Sequence, residues 1–326
     1  MASPAMDLSV KPDARAVPPT SPAPAAAPPP QPRQRVTAGG VLLHFVLFAL
    51  AVAVLTPFLW LVCACFKTQD DIFAYAFLPW ESAPGGSFPH RLASFRLRLD
   101  RLTLANFRTL FDRLPYGRWM FNSLFLSSLQ TVLVVTLSSL GGFALAKYRF
   151  AGKRPLMALM LCTMLLPGVV LLPSNFKLMY HLGWLNSYAA ILVPGAVSAF
   201  GMFLFMQAMK GVPDELLQSG RVDGCSELRL WWEIALPIVR PMTGAYTLLT
   251  FVGSWNSFLW PSVVLTDGGK YTLPIGLNSM IGLPEFDTRY GVLMCGTFLA
   301  ILPVMVLFFA LQRDFVSGLA SGAVKG

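Results

Sequence analysis

Six long apolar segments, separated by polar stretches, dominate the hydrophobic pattern of this chain. A helix needs about 20 apolar residues, each rising about 1.5 Å, to cross the hydrocarbon core of a bilayer. The pattern therefore predicts an all-α, polytopic membrane protein with six transmembrane helices. The third segment is the shortest, and Pro167-Gly168 near its end predicts a break into a short connection that contains Pro173. The six segments cover residues 41–66, 121–146, 156–172, 187–208, 242–265 and 291–311.

The first 38 residues differ from the rest because they are rich in proline and alanine. Such a composition cannot form a packed core, so a disordered cytoplasmic tail is expected over residues 1–38. About forty residues precede the first apolar segment, whereas a cleaved signal peptide carries its apolar region near the start. The first helix should therefore remain as an anchor, and residues 39–326 should form the transmembrane domain.

Lysine and arginine residues cluster in the short polar connections, which predicts the orientation of the chain. Basic residues occupy the tail, the connection at residues 147–154 and the connection at residues 210–240. Short basic loops stay on the cytoplasmic side, so six spans place both termini in the cytoplasm. The loop at residues 67–118 is also basic, but at about fifty residues it approaches the length at which loops cross regardless of charge. It is therefore predicted to be external.

Within this external loop, residues 96–102 alternate polar and apolar side chains with period two for most of their length. Such alternation is typical of a half-buried strand. A surface ribbon packed on the outer face is favoured over a strand that docks a partner, because exposed alternation is common in loops.

Composition and charge agree with a bilayer environment. Hydrophobic residues make up 55% of the chain and charged residues 13%, against roughly 25% charged in an ordinary soluble domain. A net charge of +9 could suggest nucleic acid, but apolar runs between short basic clusters fit membrane topology better, so no nucleic-acid partner is expected. The cysteines lack the paired spacing of a disulfide framework or zinc site, with Cys63 and Cys65 forming only a C-x-C pair. We predict neither a metal site nor a cofactor.

Sequence motifs for catalysis are missing. Gly152-Lys153 and Gly269-Lys270 lack the upstream glycine and the following hydroxyl residue of a phosphate-binding loop, so the chain should not hydrolyse ATP. The three histidines share no ligand spacing, and no catalytic cluster is present. The chain is therefore predicted not to be an enzyme. The spans also lack the buried carboxylates and arginines that proton-coupled transporters use, which disfavours a secondary transporter.

The polar stretch at residues 211–241, between the fourth and fifth segments, is amphipathic. Asp214, which follows a proline, is expected to cap a first helix, and Ser226 a second. Gly224 supplies the turn between them, because glycine accepts a positive φ. Apolar residues then recur at helical spacing before Pro237 ends the second helix. The stretch is predicted to form a helix, a tight turn and a helix at the cytoplasmic surface.

This stretch resembles the signature loop of the permease subunits of binding-protein-dependent ABC importers. That signature consists of E-A-A, three residues, G, nine residues and I-x-L-P. Gly224, Ile234, Leu236 and Pro237 stand at the matching positions, and Asp223 matches the acidic residue that commonly precedes the glycine. The departure is Gln218-Ser219-Gly220 in place of Glu-Ala-Ala, so a contact that the family makes there is altered.

Further segments are similar to the carbohydrate branch of that family, and to the smaller permease of maltose-type importers in particular. The resemblance covers nearly everything after residue 40, and residues 81–102 look like an insertion relative to the family pattern. The similar segments are Pro57–Trp60, Phe66–Lys67, Arg118–Ser123, Phe251–Pro261, Lys270–Pro274 and Gln312–Gly326.

The resemblance implies that residues 215–233 insert into a cleft of an ATP-binding cassette subunit. It also implies a companion permease subunit, an extracytoplasmic solute-binding protein and a location in the bacterial inner membrane. ATP hydrolysis would then reside in a separate partner subunit. The implied ATPase-coupling residues are Glu215, Gln218, Ser219, Gly220, Asp223, Gly224, Leu228, Ile234, Leu236 and Pro237.

The fifth segment offers a candidate substrate path. Trp255, Asn256, Phe258 and Trp260 combine aromatic faces with a hydrogen-bonding side chain, which suits a sugar or polyol. The competing interpretation is that both tryptophans belong to the aromatic belt at the membrane interface and that Asn256 bonds a neighbouring helix. An importer of glycerol phosphate is the alternative function. It would favour basic residues in the cavity, and the spans show none.

Overall fold

The computed structural model describes residues 38–75, 77–78, 80–81, 96–97, 101–281 and 289–323. The predicted tail lies outside these residues except for Ala38, where the first helix begins. Most of the predicted insertion at 81–102 also lies outside them. The strand predicted at 96–102 is present over Arg96–Leu97 (β2), which pairs antiparallel with Trp80–Glu81 (β1).

Helices make up most of the described chain. A π-helical turn covers Leu230–Ala235, and short 3-10 turns cover Gly168–Leu171 and Gly268–Lys270. The α-helices are α1 Ala38–Cys65, α2 Gln69–Ala74, α3 Ala105–Arg113, α4 Tyr116–Lys147, α5 Lys153–Met164, α6 Leu172–His181, α7 Ala189–Gly195, α8 Ala199–Met209, α9 Asp214–Val222, α10 Glu227–Arg229, α11 Leu236–Ile238, α12 Arg240–Trp255, α13 Leu259–Val264, α14 Leu273–Ser279 and α15 Tyr290–Ala323.

Three of the predicted spans are continuous helices that are long and apolar enough to cross a bilayer. Among the described residues, these are Gly39–Cys65 in α1, Tyr116–Lys147 in α4 and Tyr290–Gln312 in α15. Two bent helix pairs, α5 with α6 and α7 with α8, bring the number of candidate spans to five if each pair is one span. The all-α, polytopic membrane architecture is therefore confirmed.

The third predicted segment continues further than expected. Helix α5 ends at Met164, and the chain then turns by 95° into a second helix that continues to His181. Pro167 starts the intervening 3-10 turn, since its ring cannot continue the helix before it. Pro173, predicted to lie in a connection, instead lies in the first turn of α6, where proline is tolerated because its fixed φ suits the start of a helix.

The fifth predicted segment, residues 242–265, is divided in two. Helix α12 ends at Trp255, and α13 starts at Leu259. Pro261 lacks the N–H that would bond the carbonyl of Ser257, and its ring would clash with that carbonyl. A single straight helix through residues 256–258 is therefore disfavoured, and α12 is left 16 residues long.

Helix α4 is the central element, since it packs against both α8 and α12. At Gly142 the α4 backbone comes so close to α8 that an added Cβ would lie 2.5 Å from Phe205 Cβ and 2.7 Å from Met206 N. On α8, an added Cβ at Gly201 would lie 2.6 Å from Ser138 Oγ and 2.2 Å from Tyr246 Oη. Glycine at both positions therefore allows three helices to cross in close contact.

Candidate functional site

Residues 214–238, hereafter the coupling helices, form the predicted helix, turn and helix. Gly224 has φ +83° in the turn, and Cys225 N donates to Gly220 O at 2.9 Å, which closes the end of α9. Ser226 Oγ accepts a bond from Arg229 N at 3.4 Å and so caps the second helix as predicted. These features depend only on residues close in sequence.

Asp214 does not cap α9 as the sequence analysis predicted. The N-cap residue is Pro213, and Asp214 begins the helix itself. Its carboxylate lies 2.6 Å from Nζ of Lys147, the last residue of α4, and Lys147 also donates to Val212 O at 2.5 Å. Lys147 lowers the pKa of the Asp214 carboxyl through this hydrogen bond and its charge. Lys147 therefore competes with the backbone N–H groups of α9 for this carboxylate, and an ammonium bonds a carboxylate more strongly than a backbone N–H does.

A second connection joins α4 to both coupling helices. Arg221 on α9 binds Glu227 on α10 through Nε to Oε1 at 2.8 Å and Nη2 to Oε2 at 3.2 Å. The hydroxyl of Tyr148, just after α4, donates to the same carboxylate. Arg221 first, and then Tyr148, lowers the pKa of Glu227 by stabilising its charged form. Sequence analysis did not predict these contacts, because no spacing rule links Tyr148 to a residue 79 positions away.

The second coupling helix does not end at Pro237 as predicted. It continues to Ile238, with a π-helical turn over Leu230–Ala235. Pro237 has no N–H to donate to Glu233 O, four residues earlier, so the regular hydrogen-bond ladder is interrupted there. Leu230 and Trp231 in the π turn are buried in a core that includes Phe143 of α4.

The close packing of the two coupling helices explains why glycine, and not the final alanine of Glu-Ala-Ala, stands at position 220. Gly220 is buried, and an added Cβ would lie 2.5 Å from Leu230 Cδ2 and 3.1 Å from Ile234 Cδ1. The two coupling helices therefore approach each other more closely here than an alanine would allow without a shift of Leu230. Gln218 and Ser219, in contrast, are exposed.

The remaining predicted coupling residues are distributed over the surface and the edge of this helix pair. The turn region exposes two apolar side chains, Val222 at 88% and Leu228 at 66% of their surface. Ile234 and Leu236 are half-buried. The other exposed positions are Glu215, Asp223, Gly224 and Pro237.

A cavity of about 420 Å³ lies beside α4, within the roughly 300–1,000 Å³ of small-molecule sites. Two helices contribute polar stripes to it at intervals of three and four residues, which place the side chains on one helix face. The stripe on α4 consists of Ser123, Ser127 and Gln130, and Val134 continues the same face. On α12 the polar residues are Tyr246 and Thr250, and Gly253 continues the same face, while Ser257 lines the cavity from just beyond the end of this helix. Sequence analysis did not predict the α4 stripe, although its polar spacing within an apolar segment was a usable signal.

Hydroxyl and amide groups give the cavity its chemistry. In the described part of the chain, no residue that lines it is an Asp, Glu, Lys or Arg. Gln130 is only 7% exposed, yet neither its Nε2 nor its Oε1 has a hydrogen-bond partner among the described residues. The same holds for Oγ1 of Thr272, which is also 7% exposed. The cavity can therefore offer neutral donors and acceptors to a solute.

The four predicted substrate-path residues do not all reach this cavity. Trp260 lines it, and its Nε1 donates to Ala190 O at 2.9 Å. Trp255 is buried and stacks on Phe251 with ring centroids 5.8 Å apart. Asn256 and Phe258 are exposed and are not among the lining residues. The break after Trp255 places Trp255 on α12, Trp260 on α13, and Asn256 and Phe258 between these helices.

The end of α4 near Tyr116 holds the loop that borders the cavity. Trp119 Nε1 donates to Gly268 O at 3.0 Å, and Asn122 Nδ2 donates to Gly269 O at 3.1 Å and Tyr271 O at 2.9 Å. Ser123 Oγ accepts a bond from Leu273 N at 2.6 Å. Two of the segments on which the family resemblance rests, 118–123 and 270–274, therefore contact each other and position Thr272 at the cavity.

Bent apolar helices surround an uncharged polar cavity, and a helix pair is bound to one end of the central helix. This is the arrangement of a membrane permease subunit. Residues 138–316, more than half of the chain, match the family described as binding-protein-dependent transport system inner membrane component. The chain belongs to this family. It is a multi-pass protein of the bacterial inner membrane and a transport subunit, not an enzyme, and the ATPase of such a system is a separate subunit.

Individual relatives agree with this assignment. The chain is 41% identical over 211 residues to the arabinooligosaccharides transport system permease protein AraQ of Bacillus subtilis, covering 65% of this chain and 74% of that protein. It is 34% identical over 205 residues to the sn-glycerol-3-phosphate transport system permease protein UgpE of Salmonella typhi, covering 63% and 73%. A bacterial ABC transporter that imports the acidic polysaccharide alginate shares the fold, with TM-score 0.71 at 20% identity over 88% of this chain and 99% of that chain.

Proposed function

We propose that this chain is the permease of an ATP-driven importer of a neutral sugar or related polyol, and that residues 211–241 couple it to the ATPase. One observation carries the proposal. The coupling helices are bound to the end of α4 through Lys147 and Tyr148, while their turn leaves Val222 and Leu228 exposed. An element fixed on one side and exposed on the other is suited to docking a partner.

Helix α4 supplies the mechanical link in this proposal. Gln130, in the cavity stripe, and Lys147, at the coupling helices, lie on the same helix 17 residues apart, which corresponds to about 26 Å. An uninterrupted helix moves as a rigid element. Rotation of the coupling helices on closure of an ATPase dimer would therefore reorient the polar stripe and switch the side to which the cavity opens.

The docking surface has the composition of an interface centre. Val222 and Leu228 flank the turn, the charged Asp223 next to Val222 is exposed, and Glu215 is exposed at the start of the same helix. An apolar centre with a polar rim is the common arrangement at protein interfaces. The cleft of an ATP-binding cassette subunit would cover these two apolar side chains.

The remaining partners and the orientation follow from this docking. If the coupling helices lie in the cytoplasm, both termini lie there and the loop at 67–118 faces outward, towards a solute-binding protein. The transmembrane domain at 39–326 would form half of the translocation path with a companion permease. The apolar side chains of the first part of α1, including Phe45 and Phe48, are exposed and available for lipid or for this companion.

The cavity favours a neutral carbohydrate over glycerol phosphate. Hydroxyl and amide groups match the hydroxyls of a sugar, whereas a phosphate is normally bound by Arg, Lys or several N–H donors. In the described part of the chain no cationic side chain lines the cavity. The relationship to AraQ supports an oligosaccharide as the cargo, and the relationship to UgpE makes glycerol 3-phosphate the necessary comparison.

Uptake and co-purification test the proposal. Cells with and without this chain are compared for uptake of arabinotriose, maltotriose, lactose and glycerol 3-phosphate, and the detergent-solubilised chain is assayed for a bound ATPase. We expect ATP-dependent uptake of one neutral solute to require the chain. Intact uptake without it, together with no associated ATPase, would contradict the proposal.

Cysteine cross-linking tests the docking surface itself. In a background that replaces Cys162 and Cys225 by serine, Val222→Cys and Leu228→Cys should cross-link to the ATPase subunit. The matched control is Val169→Cys, which is 66% exposed but lies near the bend between α5 and α6. Equal cross-linking at all three positions, or none at the first two, would exclude this surface as the docking site.

A further inference from the structure

We propose that the side-chain amide of Gln130 binds the passing solute directly and selects hydroxyl groups over anions. The inference rests on the proposed function and names a specificity-determining residue for it. Gln130 lines the cavity from the middle of α4, is 93% buried, and has neither amide atom hydrogen-bonded within the described residues. A buried amide without hydrogen-bond partners is destabilising, so a bound solute that pairs both amide atoms would relieve this cost.

The surroundings of Gln130 favour a role in binding over one in packing. The amide lies against Gly195, where an added Cβ would stand 2.9 Å from Nε2 and 3.2 Å from Cδ. Glycine at the end of α7 thus leaves the room that the amide occupies. If Gln130 only filled space, an apolar residue would do so without the cost of an unpaired amide.

Donor and acceptor content explains the selectivity. A glutamine amide both donates and accepts, and a sugar hydroxyl does the same, so the two match in either direction. Thr272 adds a second unpaired hydroxyl to the same cavity. A phosphate or carboxylate can only accept, so it could use the amide N–H donors but would leave the amide oxygen unpaired, and it would find no cation among the described lining residues.

The test uses the complete importer, reconstituted in proteoliposomes with its companion permease, ATPase subunits and solute-binding protein. Uptake of arabinotriose, maltotriose and lactose is measured at saturating binding protein, alongside ATP hydrolysis stimulated by the loaded binding protein. Gln130→Leu keeps the approximate volume and removes both hydrogen bonds. We expect it to lower uptake at least about tenfold while ATP hydrolysis stays within about twofold. Gln130→Asn should restore part of the uptake, because the amide is kept but set back by one methylene.

Controls separate the possible failures. Gln312→Leu makes the same substitution at an exposed position outside the cavity and should leave uptake unchanged. Wild-type uptake by Gln130→Leu would overturn the inference, as would a parallel loss of uptake and ATP hydrolysis in an assembled complex. If Gln130→Leu does not assemble, Gln130→Asn decides, since an unchanged uptake rate would equally overturn it. Failure of the wild-type complex to transport any neutral sugar would instead contradict the proposed function.

Discussion

The two ends of α4 hold their neighbouring segments by different means. At the Lys147 end the contacts are charged, with the pairs Lys147–Asp214 and Arg221–Glu227. At the Tyr116 end, Trp119 and Asn122 bond backbone carbonyls of the 268–271 loop through neutral groups that are largely buried.

The energetics of these contacts differ accordingly. The Arg221–Glu227 pair is exposed on both sides, and such ion pairs typically stabilise by about 0–1 kcal/mol, because water solvates both partners when they separate. In the Lys147–Asp214 pair only the carboxylate is exposed, since the Lys147 side chain is 7% exposed. Breaking a buried neutral hydrogen bond leaves a donor or an acceptor unpaired, which destabilises the folded state by about 1–3 kcal/mol. The comparison indicates that the Lys147 end can rearrange during a transport cycle, while the Tyr116 end keeps the cavity border in place.

The largest expected effect comes from the turn of the coupling helices. Gly224→Asp should abolish transport while leaving membrane insertion intact, because a second carboxylate beside Asp223 would have to be desolvated on docking. Gly224→Asn is the matched control, since asparagine accepts the same positive φ and has nearly the same shape without the charge. Uptake assays and membrane fractionation measure both. Unchanged uptake by Gly224→Asp would contradict the coupling role of this loop.

At the Tyr116 end, Asn122→Asp should strongly destabilise the chain. It places a carboxylate, at a position only 4% exposed, against the carbonyl oxygens of Gly269 and Tyr271. We expect a loss of about 3 kcal/mol or more, read as a lowered Tm in detergent. Asn256→Asp, the same change at an exposed position, should leave Tm nearly unchanged. A Tm for Asn122→Asp similar to that of Asn256→Asp would show that the buried Asn122 amide does not hold the Tyr116 end in place.

Gly220→Ala tests the close approach within the coupling helices. The new methyl group would overlap Leu230, so we expect a loss of about 1–2 kcal/mol in detergent unfolding. Leu230→Val should recover part of this loss, because it removes the overlapping methyl groups. Gly117→Ala on α4 is the control, since an added Cβ there meets nothing within 4 Å and alanine favours the helix. Destabilisation by both alanine variants alike would argue against a specific contact.

Tyr148→Phe should weaken the connection between α4 and the coupling helices by about 0.5–1 kcal/mol, given the exposure of Glu227. The effect should depend on pH. The pKa of Glu227 is lowered in the folded chain, so its contribution is present above the ordinary glutamate pKa of about 4.3 and is lost as the pH falls through the lowered value. The Tm difference from wild type, measured from neutral to acid pH, should therefore shrink at acid pH. A pH-independent difference would mean that Tyr148 acts through packing alone.

The smallest expected effect belongs to Asp214→Asn, because the Asp214 side chain is 70% exposed. We expect a fall in Tm of at most about 2 °C at low salt, diminishing as salt screens the pair. Thermal melts at low and high sodium chloride measure this. A larger or salt-independent effect would show that the Lys147 end is held as firmly as the Tyr116 end.

The sequence by itself determined the features that depend on near neighbours. Six apolar segments, the turn at Gly224 and the cap at Ser226 all follow from periodicity and from bonds across a few residues. The spacing of the signature loop was likewise sufficient to predict the family, which the match over residues 138–316 confirms.

Only the tertiary structure decided which distant residues meet. The bonds from Lys147 to Asp214 and from Asn122 to Tyr271 join positions 67 and 149 residues apart. The same is true of the cavity, where Gln130 and Trp260 come together and Trp255 does not. Contacts of this kind depend on how helices bend and cross. Local pattern predicted a break at Pro167-Gly168 but not the 95° turn made there, nor the division of the fifth segment before Pro261 or the close approach of α4 and α8 at Gly142.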